Sequence, residues 1–298
     1  MATLYTQQTR NIFKTWLLMA VFFGVVIGIG WVFAQLYGAP EILYFAVFFS
    51  ILMNVISYWF SDKIVLALHR AKPVDFNENP ELYRILENLS ITAGLPMPKF
   101  YIIDDPAPNA FATGRNPTHA VVAVTTGILE RLNRSELEGV LAHELSHIGN
   151  RDMLISTVAV VLVGFISIIS DMFWRAQWFG SRDDNNRSNA LILLIGLVFS
   201  ILAPLIAQLI QLAISRRREL LADSSGALLT RYPEGLASAL QKIADDPRTI
   251  RTATNATAHL FFENPFGADH KKTHWLIRMF STHPPLEDRI KALQGMRV

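Results

Sequence analysis

His143-Glu144-Leu145-Ser146-His147 reads H-E-x-x-H, and the rest of the chain is organised to deliver, complete and position it. Two histidines four residues apart lie on one face of a helix, one turn from each other, so both imidazoles reach a single ion. Imidazole nitrogen is among the usual ligands of Zn²⁺, and a catalytic zinc keeps one position open for water. Glu144 directly follows the first histidine. It is placed to take a proton from that water, whose pKa zinc lowers to about 7. Ser135-Glu136-Leu137-Glu138 has the form of a capping box and predicts a helix start just before the motif. Leu137, Val140, Leu141, Leu145 and Ile148 then recur at helical spacing and predict an apolar face.

Two histidines do not complete a catalytic zinc site; a third protein ligand is required. The metzincin continuation needs Gly at 150 and His at 153, where this chain has Asn150 and Met153. A glutamate from a second helix is the alternative, and Glu219 is the best candidate. Asp223, one turn on, is placed to receive the N–H of a ligand histidine and fix its tautomer. The reverse assignment, Asp223 as ligand and Glu219 behind it, stays open.

The 298 residues are 51% hydrophobic with a mean hydropathy of +0.28, and the excess is local. Four charge-free apolar stretches stand out: Thr15 to Pro40, Ile42 to Ser61, Met153 to Ser170 and Ser188 to Ser215. Each approaches or exceeds the roughly 20 residues that cross a bilayer as a helix. They predict spans at about residues 15–36, 42–61, 153–172 and 190–214. The third is the shortest, and a buried core helix is its alternative reading. The first is too long for a removable signal and is followed at once by a second span, so it reads as an anchor. Spans one and two make a hairpin region, residues 1–62. Residues 63–298 form a metallopeptidase domain interrupted by the second hairpin.

Arg10 and Lys14 precede span one, Lys63, Arg70 and Lys72 follow span two, and Arg216, Arg217 and Arg218 follow span four. The positive-inside rule puts all three segments in the cytoplasm, with the Arg175–Arg187 loop outside. Span three and span four separate the histidines from Glu219, and an even number of crossings returns all three ligands to one face. No cysteine is present, so thiolate ligands and disulfides are excluded. A net charge of +2, with no basic run interleaved with aromatics, does not imply nucleic acid.

Between the hairpins, a helix is expected from Asn79-Pro80 through Leu89, broken by Pro96-Met97-Pro98. Strands are expected at Lys99–Ile103 and His119–Thr125. Asn109-Ala-Phe-Ala-Thr-Gly114 lies between them, and its small residues suit an edge strand that pairs with an extended peptide. An ordinary hairpin connection is the alternative. A helix is expected from Pro233 to about Ala244, and another after His283-Pro-Pro285.

Taken together, the two N-terminal spans, the Asn109–Gly114 stretch, His143-Glu-Leu-Ser-His147, the second hairpin, Glu219-x-x-Ala-Asp223 and Ser281-x-His283-Pro-Pro closely resemble the HtpX-like membrane zinc metallopeptidases, relatives of the CAAX prenyl endopeptidases. The resemblance covers nearly the whole length. It implies a mainly α integral membrane protein with four transmembrane helices and a cytoplasmic α+β zincin domain of gluzincin type, carrying a small sheet. It implies that His143, His147 and Glu219 bind one Zn²⁺ and that Glu144 is the catalytic base. A multi-pass protein of the bacterial inner membrane is implied, acting on polypeptide substrates in membrane-protein quality control and the stress response.

For the oxyanion of peptide hydrolysis, His283 is the candidate donor, a helix-capping or surface role being the alternative. Asn109 is the candidate to hydrogen-bond substrate backbone. A catalytically silent zinc scaffold and a transporter are the rival readings. A transporter predicts ionisable residues within the spans, whereas the four apolar stretches carry no charge, with Pro204 the obvious interruption.

Overall fold

The computed structural model describes residues 4–179, 216–254, 256–266 and 284–296. The expected fourth span and His283 lie outside the described residues.

Two long helices open the chain, α1 (Leu4–Tyr37) and α2 (Glu41–Trp59). Helix α1 starts well before Thr15, because nothing from Leu4 to Lys14 is Gly or Pro. It stops where Gly38 takes a left-handed φ of 62°, and Pro40 then caps α2. Among the described residues these two are long and apolar enough to cross a membrane, or up to three segments if a pair of helices bent by 83° is counted as one. That pair is α6 (Arg134–Gly149) and α7 (Asp152–Phe179).

Helix α7 runs past residue 172 to Phe179, through Arg175. Its first half behaves as a core element: Ile155, Val158, Ala159 and Leu162 are fully buried, packed with Leu18 and Phe22 of α1 and Met53 of α2.

After α3 (Ser61–Leu68) comes a four-stranded mixed sheet: β1 (Lys72–Pro73), β2 (Lys99–Ile103), β3 (Ala110–Gly114) and β4 (Ala120–Thr125). Its order is β1-β2-β4-β3, with β2 and β4 parallel and the outer pairings antiparallel. Strand β3 therefore sits at an edge, with Ala112 opposite Val122. All of the Asn109–Gly114 stretch but Asn109 is a strand and not a mere connection.

Helix α4 (Pro80–Ala93) outruns its expected end. Gly94, in a left-handed conformation at φ 65°, terminates it before the prolines are reached. Helix α5 (Thr126–Arg131) leads into α6, followed after α7 by α8 (Arg216–Thr230), α9 (Pro233–Ala244) and α10 (Leu286–Gln294).

The capping box of α6 is Asn133 with Glu136, two residues upstream of the expected one. Asn133 Oδ1 accepts from Glu136 N–H (3.0 Å) and Glu136 Oε2 accepts from Asn133 N–H (2.9 Å). Asn133 wins over Ser135 because its amide oxygen reaches the N3 amide while Glu136 reaches back. Glu136 also ties α6 to α9 through Lys242 Nζ (2.8 Å) and Ser238 Oγ (2.6 Å). Residues Val140 to Leu145 are buried consecutively, so α6 is enclosed on every side and not merely along one apolar face. The main core packs the sheet, α4, α9 and α10 around it, with Leu86, Val122, Leu141 and Leu240 at its centre.

Candidate metal centre

Helix α6 presents His143 and His147 one turn apart, with Nε2 atoms 3.1 Å from each other. Helix α8 brings Glu219 against both: Oε2 lies 3.7 Å from His143 Nε2, and Oε1 lies 3.6 Å from His147 Nε2. One ligand atom from each of the three residues falls within 4.8 Å of the others. Zinc–ligand bonds of about 2.0–2.1 Å in a tetrahedron place ligand atoms about 3.3 Å apart, so these separations fit the ion.

Helix α8 comes this close because Gly226 faces α6. A Cβ there would stand 2.9 Å from the backbone nitrogen of His143. Glu219, Asp223 and Gly226 fall at i, i+4 and i+7, one face of α8. The sequence spacing thus encodes both the placement of Glu219 and the close approach that brings it to α6.

Behind each histidine stands a carboxylate that faces Nδ1 and leaves Nε2 turned toward Glu219. His143 Nδ1 lies 2.9 Å from Asp223 Oδ1, and His147 Nδ1 lies 3.3 Å from Asp152 Oδ2. Asp223 is in turn gripped by Arg289 of α10, whose Nε and Nη2 each donate at 2.8 Å. Asp223 and Arg289 are both buried. Burial works against the charge of Asp223, but the Arg289 guanidinium outweighs it and holds the carboxyl at about 2. Burial likewise opposes charge on His143; its bonds to Asp223 and Glu219 prevail and raise it to about 9. A bound cation reverses that balance and favours the neutral ring.

Glu144 is buried beside the histidines, and its carboxylate accepts the backbone N–H of Ala112 on β3. Burial pushes its pKa up, the two histidines pull it down, and the net shift is upward. An upward shift makes the carboxylate a stronger proton acceptor than an ordinary glutamate.

The wall opposite α6 is an irregular segment around Ala258–Leu260, a short 3₁₀ turn. His259, Leu260, Phe261 and Phe262 line the same pocket as Ala112, Glu144 and Glu219. Phe262 N–H donates to Ala110 O (2.8 Å), Asn109 Nδ2 donates to Glu263 O (2.9 Å), and Glu263 N–H donates to Asn109 Oδ1 (3.2 Å). The rings of Phe261 and Phe111 meet with centroids 5.4 Å apart. Residues 261, 262 and 263 therefore face 111, 110 and 109 in turn, running antiparallel along the free edge of β3. The Asn109 carboxamide, expected to meet substrate backbone, is engaged by the chain's own Glu263.

Of the residues singled out in the sequence, His143, Glu144, His147, Glu219 and Asp223 come together; Asn109 stands at the far end of β3. Asp152 and Arg289 were not anticipated. Arg289 does leave a trace: Leu286, Arg289, Ile290 and Leu293 share one stripe of α10, and a charge on an apolar stripe marks a buried partner.

A helix-borne H-E-x-x-H completed by a glutamate from a second helix, in a chain with helices able to cross a membrane, defines a metallopeptidase of membrane type. Comparison with known proteins is consistent with this. The chain belongs to peptidase family M48, whose family model matches residues 77–297. It is 45% identical over 303 residues to a protease HtpX homolog of Caldanaerobacter subterraneus subsp. tengcongensis, covering 99% of each chain. It is 50% identical over 285 residues to one from Pyrococcus abyssi, covering 94% of each. The crystal structure of S. mikatae Ste24p shares the fold at a TM-score of 0.52 and 17% identity, covering 97% of this chain and 67% of that one.

Proposed function

We propose that this chain is a membrane-bound zinc endopeptidase that cleaves misfolded or damaged membrane proteins at the cytoplasmic face of a bacterial inner membrane. It would cross the bilayer four times, at about residues 15–36, 42–61, 153–172 and 190–214. The hairpin region would be 1–62 and the peptidase domain 63–298. His143, His147 and Glu219 would hold one Zn²⁺. The single observation that carries this reading is the convergence of those three ligand atoms within 4.8 Å beside the buried Glu144 carboxylate.

Zinc, when bound, supplies Lewis acidity to the scissile carbonyl and lowers the pKa of a water. The remaining work falls to the chain. Glu144 accepts the proton of the attacking water and passes it to the leaving amine, held in place by the Ala112 amide. Asp223 and Asp152 keep both histidine rings turned toward the ion. The substrate backbone lies alongside β3 near Ala112, where the edge of the sheet borders the pocket. Asn109 supports it by fastening the segment at Glu263 beside the site. His283, three residues before α10 in the sequence, would donate to the oxyanion.

The test is Glu144→Gln in the full chain purified in detergent, assayed on casein as an unfolded reporter. Loss of cleavage with the metal retained supports the reading. Cleavage at the parent rate removes Glu144 from the reaction.

A further inference from the structure

Helix α1 does more than sit in a membrane. Asn11, on its N-terminal third, is buried at 3% exposure, and its Nδ2 donates both to the backbone oxygen of Asn150 (3.0 Å) and to Asp152 Oδ1. One turn earlier, Gln8 Nε2 donates to Gly149 O (2.6 Å). These are among the carbonyls that a helix leaves unsatisfied at its C-terminus, here the end of the metal-binding helix α6. The other oxygen of Asp152 faces His147 Nδ1 at 3.3 Å. A single carboxylate thus joins the first membrane helix to a metal ligand.

From this geometry we infer that Asn11 is a positioning residue of the metal centre: through Asp152 it sets the ring of His147, so α1 is a structural part of the active site. The inference rests on the metal reading above.

Asp152 is itself buried, so its charge has to be met by donors. Oδ1 has Asn11 and, at 3.7 Å, Arg218 Nε. Without the Asn11 amide, Arg218 is the nearest cation, and the carboxylate is drawn toward it and away from His147. His147 would then lose the contact that holds Nε2 toward Glu219. The arrangement parallels the one behind His143, where Asp223 is held by Arg289. Both histidines are oriented by a carboxylate held in turn by a second group, and one of those groups is carried on a membrane helix.

A structural role alone would look different. Asn11 also ties α1 to the end of α6, and loss of that tie would lower stability without changing how well folded protein holds the ion. The experiment therefore measures zinc affinity of the full chain in detergent by competition with a chelator, with thermal melting of the same samples. The set is the parent, Asn11→Leu, Asp152→Asn and the double variant, with Asn11→Ser as a milder change that draws the polar group out of reach of Asp152. We expect Asn11→Leu and Asn11→Ser to weaken zinc binding roughly 10- to 100-fold, the usual effect of losing an outer-shell partner. In the double variant the losses should not add, because Asn11 acts through Asp152.

Parent-like affinity in both Asn11 variants, or additive losses in the double variant, overturns the inference while leaving the metal centre intact. A parent protein that binds no zinc overturns the metal reading and this inference with it.

Discussion

Arg289 holds Asp223 with two parallel hydrogen bonds of 2.8 Å, at full burial of the guanidinium. Asp223 in turn meets His143 Nδ1 at 2.9 Å, so α10 bears on how His143 is held on α6. Arg289→Met leaves a buried carboxylate without its counter-charge. Such a loss costs about 3–5 kcal/mol of stability. Arg289→Met/Asp223→Asn should recover much of the melting temperature, because the stranded charge is gone, yet keep the weakened zinc affinity of Asp223→Asn. Recovery of both would mean that the pair serves folding alone.

Gly226 admits α6 to within contact of α8 at His143. Gly226→Ala forces the two helices apart at the point where Glu219 is delivered, with an expected cost of about 1–3 kcal/mol for overpacking. Zinc affinity should fall with it. Gly164→Ala on α7 is the control, since a Cβ there meets nothing within 4 Å. It should be neutral or stabilising by up to about 1 kcal/mol, as replacing Gly by Ala in a helix normally is. Equal melting shifts in the two variants would refute the close-packing account.

Much of this was legible in the sequence, for identifiable reasons. The H-E-x-x-H spacing places His143, Glu144 and His147 together on one helix, and Glu219 with Asp223 repeat the four-residue spacing on a second helix. Strand β2 and helix α9 follow from alternation and an initiating proline. What failed was local competition, as where Asn133 outdoes Ser135 as cap and Gly94 ends α4 before Pro96. What could not be read was long-range. Asn11 and Asp152 meet across 141 positions, and nothing near either one signals the other. The burial of the apolar residues of α7 from Met153 to Leu162 is equally invisible, since an apolar run suits protein interior as well as lipid.

His69 sets a pH dependence. It is buried between Phe111 and Phe261, with ring centroids at 5.6 and 5.0 Å, and burial lowers its pKa to about 4 despite the charge of Asp105. The unfolded chain, with a histidine pKa near the usual 6.5, binds a proton in this interval that the native protein does not. Its contribution to stability is therefore full above about pH 6.5 and is lost as pH falls from there toward 4. His69→Gln keeps a hydrogen-bonding side chain near Thr252 and removes the titration. In denaturant titrations the slope of stability against pH should flatten by up to about 1.4 kcal/mol per pH unit inside that window. An unchanged slope would show that His69 is protonated as easily in the native state.

Asn109 fastens the segment that borders the metal pocket. Asn109→Ala removes the hydrogen bonds to Glu263, and the Phe262 amide, 2.8 Å from Ala110 O, should lose its protection. Hydrogen exchange at residues 259–263 should accelerate while α6 keeps its protection. Unchanged exchange would mean that the segment is held by its packing alone.

The central claim is that α6 and α8 together grip one zinc ion, and metal content tests it most directly. Full-length protein purified in detergent and analysed for bound metal should carry close to one zinc per chain, and Glu219→Ala should lose it while remaining folded. Zinc retained at the parent level in folded Glu219→Ala would contradict the account.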